Sequence, residues 1–277
     1  MATPSAPTAG DILKRWRQTR RLSQLDLSVV AGVSQRHLSY LETGRATPSR
    51  EMIIHLATEL DVPLRDRNPW LKAAGYADLY TEHGLDEPAM EQIRHILQTL
   101  LDAHQPFPAY VVDRAWNLVI TNPSAAALTG MLVPPEKAPL FAGNILRLFM
   151  HPDGLRQHID NWKDAATSLM HRFERELSER PGDLTMLDLL EEVRQYPGLD
   201  ELPQRPALPT SADLLVPIHL RTPLGNMRLL TTIATIGAPY DITLEELRLE
   251  TLLPADPATE IILRHLTTWA PPNIDAE

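Results

Sequence analysis

Residues 23–45 read Ser-Gln-Leu-Asp-Leu-Ser-Val-Val-Ala-Gly-Val-Ser-Gln-Arg-His-Leu-Ser-Tyr-Leu-Glu-Thr-Gly-Arg. Ser23 is a good N-cap for one short helix, and Ser34 for a second. Between them Gly32 supplies the left-handed turn that closes the first helix. Leu27, Ala31, Val33, Leu38 and Leu41 point inward and lock the two helices together, with the small Ala31 where they approach. Gln35, Arg36, Ser39 and Tyr40 are left facing outward from the start of the second helix. Amide and guanidinium groups there suit bidentate hydrogen bonds to base edges in a DNA major groove. Ser34 and Arg45, which bracket the helix, join this candidate set.

Working outward, residues 11–60 read as four short helices. Asp11 caps the first, which runs through Ile12, Leu13 and Trp16 to about Arg20. After Thr47-Pro48-Ser49 the fourth carries a stripe of Met52, Ile53, Leu56, Ala57 and Leu60. A fifth lies near Pro69 to Ala74 and stops at Gly75. Residues 1–10 are uncharged and rich in Pro, Ala and Thr, and read as a disordered lead-in.

The 277-residue chain has a net charge of −10, but the charge is unevenly spread. Residues 11–50 hold eight Lys/Arg against three acids, a net +5, which leaves −15 on the remainder. A local basic patch can neutralise phosphates while the acidic remainder limits indiscriminate binding. The chain has no Cys, which excludes disulfides, Cys-based zinc sites and thiol nucleophiles. No apolar run reaches the ~18 residues needed to span a bilayer, and the N-terminus lacks the pattern of a signal peptide. A cytoplasmic location with no membrane partner is expected.

On Leu22-Ser23-Gln24, Leu27, Ala31-Gly32-Val33-Ser34, Leu41-Glu42, Gly44 and Pro48, residues 11–62 resemble the Xre/Cro/phage-repressor-like helix-turn-helix family. Ser28 stands where that family usually has Ala. The resemblance implies an all-α, lambda-repressor-like domain that binds double-stranded DNA. It implies that Gln24 bonds phosphate, that Gln35, Arg36 and Tyr40 read bases, and that Arg17 and Glu42 form an internal ion pair. Leu25 and Val29 are an i, i+4 apolar pair on a face usually polar in such a helix. They are expected to meet a dimer mate or the second domain.

Further along, Glu87-Pro88 opens a helix striped by Met90, Ile93, Ile96, Leu97, Leu100 and Leu101. Residues 109–112 and 118–120 are β-rich and form a hairpin. Asn122-Pro123-Ser124 opens a short helix. Helices are expected at 143–150, 153–178, 183–195, 242–252 and 258–269, and strands at 213–222 and 226–236. The reading is a lead-in (1–10), a helix-turn-helix domain (11–75), a connector and helix (76–105), and an α+β domain with a small antiparallel sheet (106–277).

The run from Tyr110 to Asn122, with its Ala-rich helix and Gly130, looks like the opening of a PAS-like domain. The whole layout resembles the MmyB-like regulators. That resemblance rests on residues 35–52, 73–77, 113–122, 144–152 with Gly154, and 220–225. It implies a PAS-like domain binding a small apolar effector such as a fatty acid, and a homodimer on DNA. Trp116, Asn122, Arg147 and His151 are the candidate ligand-binding residues. Arg147 lies in an otherwise apolar helix, where a buried charge needs a partner. Both an acid-headed ligand and a protein carboxylate fit that need. Asn122 fits a helix cap as well as a ligand contact, and Trp116 fits the core. The chain lacks His-Glu-x-x-His, a P-loop and Gly-x-Ser-x-Gly, so no catalytic or metal-binding residue is assigned. A purely dimerising second domain and a DNA-tethered enzyme are the alternatives.

Overall fold

Thr8 opens the first helix. Its hydroxyl accepts from the Asp11 N–H, and the Asp11 carboxylate accepts from the Thr8 N–H at 2.9 Å. This reciprocal cap satisfies two otherwise orphaned donors. Asp11 is therefore the third residue of helix α1 (Ala9–Thr19) and not its cap, and the expected lead-in ends before Thr8. Gly10 explains why: it packs against the end of the third helix, where a Cβ would strike the backbone carbonyls of Leu41 and Glu42. The structure, a computed structural model, describes residues 6–180, 182–203 and 217–268.

Three more helices each follow a Ser cap: α2 (Gln24–Val30), α3 (Gln35–Glu42) and α4 (Arg50–Glu59), behind Ser23, Ser34 and Ser49. Helix α5 spans Leu64–Ala73, starting earlier than expected, with Pro69 inside it. Pro69 forgoes one helical hydrogen bond, while buried Trp70 and Leu71 anchor the turn that follows. Trp16, Leu27, Leu38, Leu41, Ile53, Leu56 and Leu60 complete a core that seals these helices together.

The chain divides into two compact units, and the first is discontinuous: it runs to Gly84 and takes in Gly237–Glu245. The sequence pattern suggests an end near residue 75 and gives no sign of the second segment. In this unit Pro63 offers α5 no side-chain cap, and the Leu64 N–H donates instead to Glu245 at 2.8 Å. Asp241 accepts from Thr81 and His83, and Ile242 packs with Leu64 and Tyr80.

In the second unit α6 (Glu91–Ala103) precedes the hairpin β1 (Ala109–Val112) and β2 (Leu118–Thr121). Then come α7 (Pro123–Leu132), α8 (Ile145–Met150), α9 (Trp162–Ser178) and α10 (Leu184–Arg194). Strands β3 (Ile218–Thr222) and β4 (Gly225–Thr235) form a second hairpin. Helix α11 (Ile242–Glu246) falls in the returning segment of the first unit up to Glu245, and β5 (Arg248–Pro254) and α12 (Pro257–His265) complete the described elements of the second unit, apart from short 3-10 turns. The sheet is antiparallel throughout, in the order β2-β1-β5-β4-β3.

Two expected helices are corrected. Residues 242–252 are not one helix: α11 stops at Glu246 and β5 follows as the middle strand. Leu and Glu favour helix locally, but pairing with β1 on one side and β4 on the other overrides that preference. The expected 153–178 helix is also broken. At Ile159 and Asp160 the backbone turns to bond β3, with Asp160 N–H donating to the His219 carbonyl at 2.9 Å, and α9 begins after it. The start of the expected strand at 213–216 lies outside the described residues.

Gly10→Ala should destabilise the first unit by about 1–3 kcal/mol, because the clash is with backbone and not with a yielding side chain. Native-state hydrogen exchange of the α1 and α3 amides measures this. Wild-type stability would contradict the close approach of α1 and α3.

Candidate DNA-reading helix and ligand cavity

Helix α3 buries Leu38 and Leu41 and turns Gln35 and Arg36 to solvent, with Ser39 and Tyr40 half-buried beside them. The Arg36 Nε–H donates to the Tyr40 hydroxyl at 2.9 Å. The Arg36 and Arg45 guanidiniums lie 5.4 and 6.0 Å from the Tyr40 ring centroid. Tyr40 thus gathers two cations at the outer end of the helix. Ser34 accepts from the His37 N–H as cap.

Beneath this face the Arg17 guanidinium forks onto Glu42, with Nε to Oε1 at 2.6 Å and Nη2 to Oε2 at 2.9 Å. Gln24 donates to the same Oε2 at 2.8 Å, so its amide is engaged inside the fold before any phosphate is considered. Burial raises the Glu42 carboxyl, but the hydrogen bonds from Arg17 and Gln24 and the Arg17 charge outweigh it and hold it below its ordinary value. The pair ties α1 to α3 and fixes the angle at which α3 is presented.

The second unit holds a cavity of about 620 Å³ between the sheet, α7, α8 and α9. Its wall is mostly aliphatic and aromatic, with Leu128, Phe141, Leu148, Phe149, Leu169 and Leu229 prominent. The volume is that of a drug-sized ligand. The model of the MmyB-like transcription regulator ligand binding domain matches residues 93–266, and a helix-turn-helix model matches residues 13–66. The chain belongs to the MmyB-like transcription regulators. No individual curated protein matches it. It joins an XRE-type helix-turn-helix to a ligand-binding domain, and so is a DNA-binding transcription regulator with a site for a small effector.

Of the sequence candidates for ligand contact, this MmyB-like regulator brings only Trp116 to the cavity wall. Trp116 has φ +66°, a left-handed conformation that costs on the order of 1–3 kcal/mol in a non-Gly residue. The turn that holds it is built by Asp113, which accepts from the N–H groups of Ala115 and Asn117, and by Asn144, which donates to the Ala115 carbonyl. Asn122 is sealed in the core. It caps α7 through Ala125 and bonds the backbone of Ala109 and Phe107. Arg147 forks onto Glu192 at 2.8 and 2.7 Å, so its partner is a protein carboxylate. His151 accepts from the Asp153 N–H and packs between Phe141 and Tyr196. These three are structural supports and do not line the cavity.

The charged lining residues, Arg172 of α9 and Glu250 of β5, were missed. Arg172 is bonded to Glu176 and Glu250, and lies over the Trp116 ring at 4.4 Å. Glu176 also accepts from the Trp116 indole at 3.0 Å and pairs with Arg248. The Tyr110 hydroxyl donates to Glu250 at 3.2 Å. Burial and the Glu250 charge push the Tyr110 phenol well above its ordinary value, so it stays protonated. A periodic signal existed: Ala165, Ser168, Leu169 and Arg172 share one helical stripe, and all four face the cavity. Among the described residues no group of three or more His, Asp or Glu is placed to hold a metal ion, and no helix is long and apolar enough to cross a membrane.

Glu42→Gln should cost about 2 kcal/mol or more of stability at neutral pH, because it leaves Arg17 unneutralised. The wild-type contribution is full above the ordinary carboxylate range and is lost as pH falls through the depressed value. Acid unfolding curves of the two proteins should therefore converge at low pH. A constant gap down to full protonation would contradict the pairing.

Proposed function

We propose that this regulator reads a pseudo-palindromic DNA site as a homodimer in the cytoplasm, and that its cavity takes a small apolar effector of the fatty-acid type. Gln35, Arg36, Ser39 and Tyr40 contact base edges, while Ser34, Arg45 and the remaining amide hydrogen of Gln24 contact the backbone. Paired α3 helices enter major grooves about 34 Å apart. The observation that carries the effector is the large, mostly aliphatic cavity, which a purely dimerising domain has no reason to keep open. The titratable groups on its wall neutralise one another, which favours binding over catalysis.

Such an effector acts only if it binds two arrangements of the dimer with different affinity. Leu25 and Val29 are 57% and 75% exposed, and we assign this apolar face of α2 to the dimer contact. Leu25→Lys with Val29→Lys should shift the protein from dimer to monomer in sedimentation while the helices stay folded. Unchanged mass and operator affinity would contradict that assignment.

The operator is obtained by selection from random DNA with the purified protein. Arg36→Ala should then weaken specific binding roughly tenfold to a hundredfold and relax preference at its base pair. A saturating medium-chain acyl compound should change wild-type operator affinity in the same assay. Full affinity and unaltered preference in Arg36→Ala would contradict the assigned reading face, and indifference of the operator complex to every acyl compound would contradict the effector.

A further inference from the structure

The chain crosses between its two units at three points: after Gly84, after Ile236 and after Glu245. The crossings differ in what they join to the cavity. The first leads into a 3-10 turn and α6, which give nothing to the cavity wall; among the described residues the lining begins at Pro108. The other two bound the segment Gly237–Glu245, which belongs to the DNA-binding unit and yet is the connection between β4 and β5. Both strands line the cavity, β4 through Leu229, Leu230 and Thr231, and β5 through Glu250 and Leu252. Thr231 stands six positions before Gly237, and Glu250 five after Glu245. From Thr231 to Thr235 β4 is paired with β5, so a displacement of the wall travels along bonded backbone.

Within the DNA-binding unit this segment is held at several atoms. The Ile242 N–H donates to the Thr81 carbonyl at 2.8 Å, and the Asp241 carboxylate accepts from Thr81 and His83. Asp241 is buried, which shields these bonds from water. The Thr243 hydroxyl donates to the His83 carbonyl at 2.7 Å. Next to Thr81, the N–H and the carbonyl of Tyr80 are both bonded to Asn68 of α5. Glu245 reaches α5 directly, as the acceptor for the Leu64 N–H. Helix α5 in turn places Trp70 and Leu71 in the core it shares with α1 to α4. The residue after Glu245 is held by the other unit: Glu246 pairs with Arg114 at 3.5 Å and with Arg180 at 3.8 Å. Two successive carboxylates of α11 are thus fastened to different units.

Building on the reading of this cavity as the effector site, we infer that its occupancy is passed to the DNA-binding unit through the β4–β5 connection, with Asp241 and Glu245 as the grips that transmit it. A ligand filling the cavity bears on β4 and β5, and a change in either strand reaches Thr81 and Leu64 through a segment bonded on both sides. The crossing that leads into α6 has no such tie to the cavity wall. Asp241 and Glu245 neither line the cavity nor lie on the reading helix, so loosening them lowers the coupling between the two sites and leaves each site intact.

The test uses the full-length protein, the operator obtained by selection, and dodecanoate below micelle-forming concentrations. Operator affinity is measured with and without saturating dodecanoate, and dodecanoate affinity by displacement of a fluorescent apolar dye. In wild type the two operator affinities should differ by about fivefold or more. Asp241→Asn with Glu245→Ala should bring them within about twofold of each other, while dodecanoate affinity without DNA stays within about threefold of wild type. Pro88→Gly, which loosens the first crossing, should keep the wild-type ratio. A double variant that keeps the wild-type ratio or loses dodecanoate binding itself, or an equal loss of the ratio in Pro88→Gly, would overturn the inference. Should the double variant fail to fold, hydrogen exchange of wild type decides: saturating dodecanoate should change the exchange rate of the Leu64 amide about threefold or more, and an unchanged rate would be equally fatal. A wild type whose operator affinity ignores bound dodecanoate, or that binds neither dodecanoate nor the dye, would instead overturn the parent reading of the cavity as the effector site.

Discussion

Two guanidiniums and two carboxylates fasten α9 to the middle strand of the sheet. Arg248 and Glu250 of β5 face Glu176 and Arg172 of α9, and Trp116 lies against the same network through its indole N–H and its ring face. Buried ion pairs of this kind add little net stability, but breaking one costs about 3–5 kcal/mol. They therefore act mainly on specificity. Sliding β5 by one residue would send Arg248 and Glu250 to the opposite face and break both ion pairs that cross from α9 to the strand. That constraint fixes the register of the strand on which β1 and β4 both pair. It also decides which residues line the cavity: Glu250 and Leu252 point inward because Arg248 is held where it is.

The DNA-binding unit follows a different logic, built from local chemistry repeated. Thr8, Ser23, Ser34 and Ser49 each satisfy the first-turn N–H of a short helix. Each such cap is worth about 1 kcal/mol, which matters for helices of seven to eleven residues that would be marginal alone. The exception is α5, whose Pro63 has no side chain to offer and whose cap arrives as Glu245 from far along the chain. The Arg17–Glu42 fork then ties α3 to α1. Polar chemistry at helix ends places α3, and the apolar core holds it there.

What was legible in the sequence divides along the same line. The helix-turn-helix could be read because its signals are local: a Ser cap, a Gly turn and apolar residues at helical spacing. Thr8 and Gly10 were misread because a Pro- and Ala-rich stretch gives no sign that a missing side chain is what lets two helices touch. β5 was misread because Arg-Leu-Glu-Thr-Leu-Leu favours helix until strands on both sides claim it. The ligand site was the least legible part. Arg147 drew attention as a charge among apolar residues, yet its partner Glu192 stands 45 positions away. Arg172 sits in a helix crowded with charges, and its neighbours in sequence look like a solvated face. Only the fold shows that the Ala165–Leu169–Arg172 stripe is turned inward.

We propose that the second unit is built around an apolar effector. Native mass spectrometry of the purified full-length protein, followed by denaturing extraction and analysis of what is released, tests it most directly. The expected result is a dimer that carries a lipid-like small molecule, or that takes up an added acyl compound stoichiometrically when it emerges empty. A dimer that emerges empty and binds no acyl compound at any tested length would contradict it.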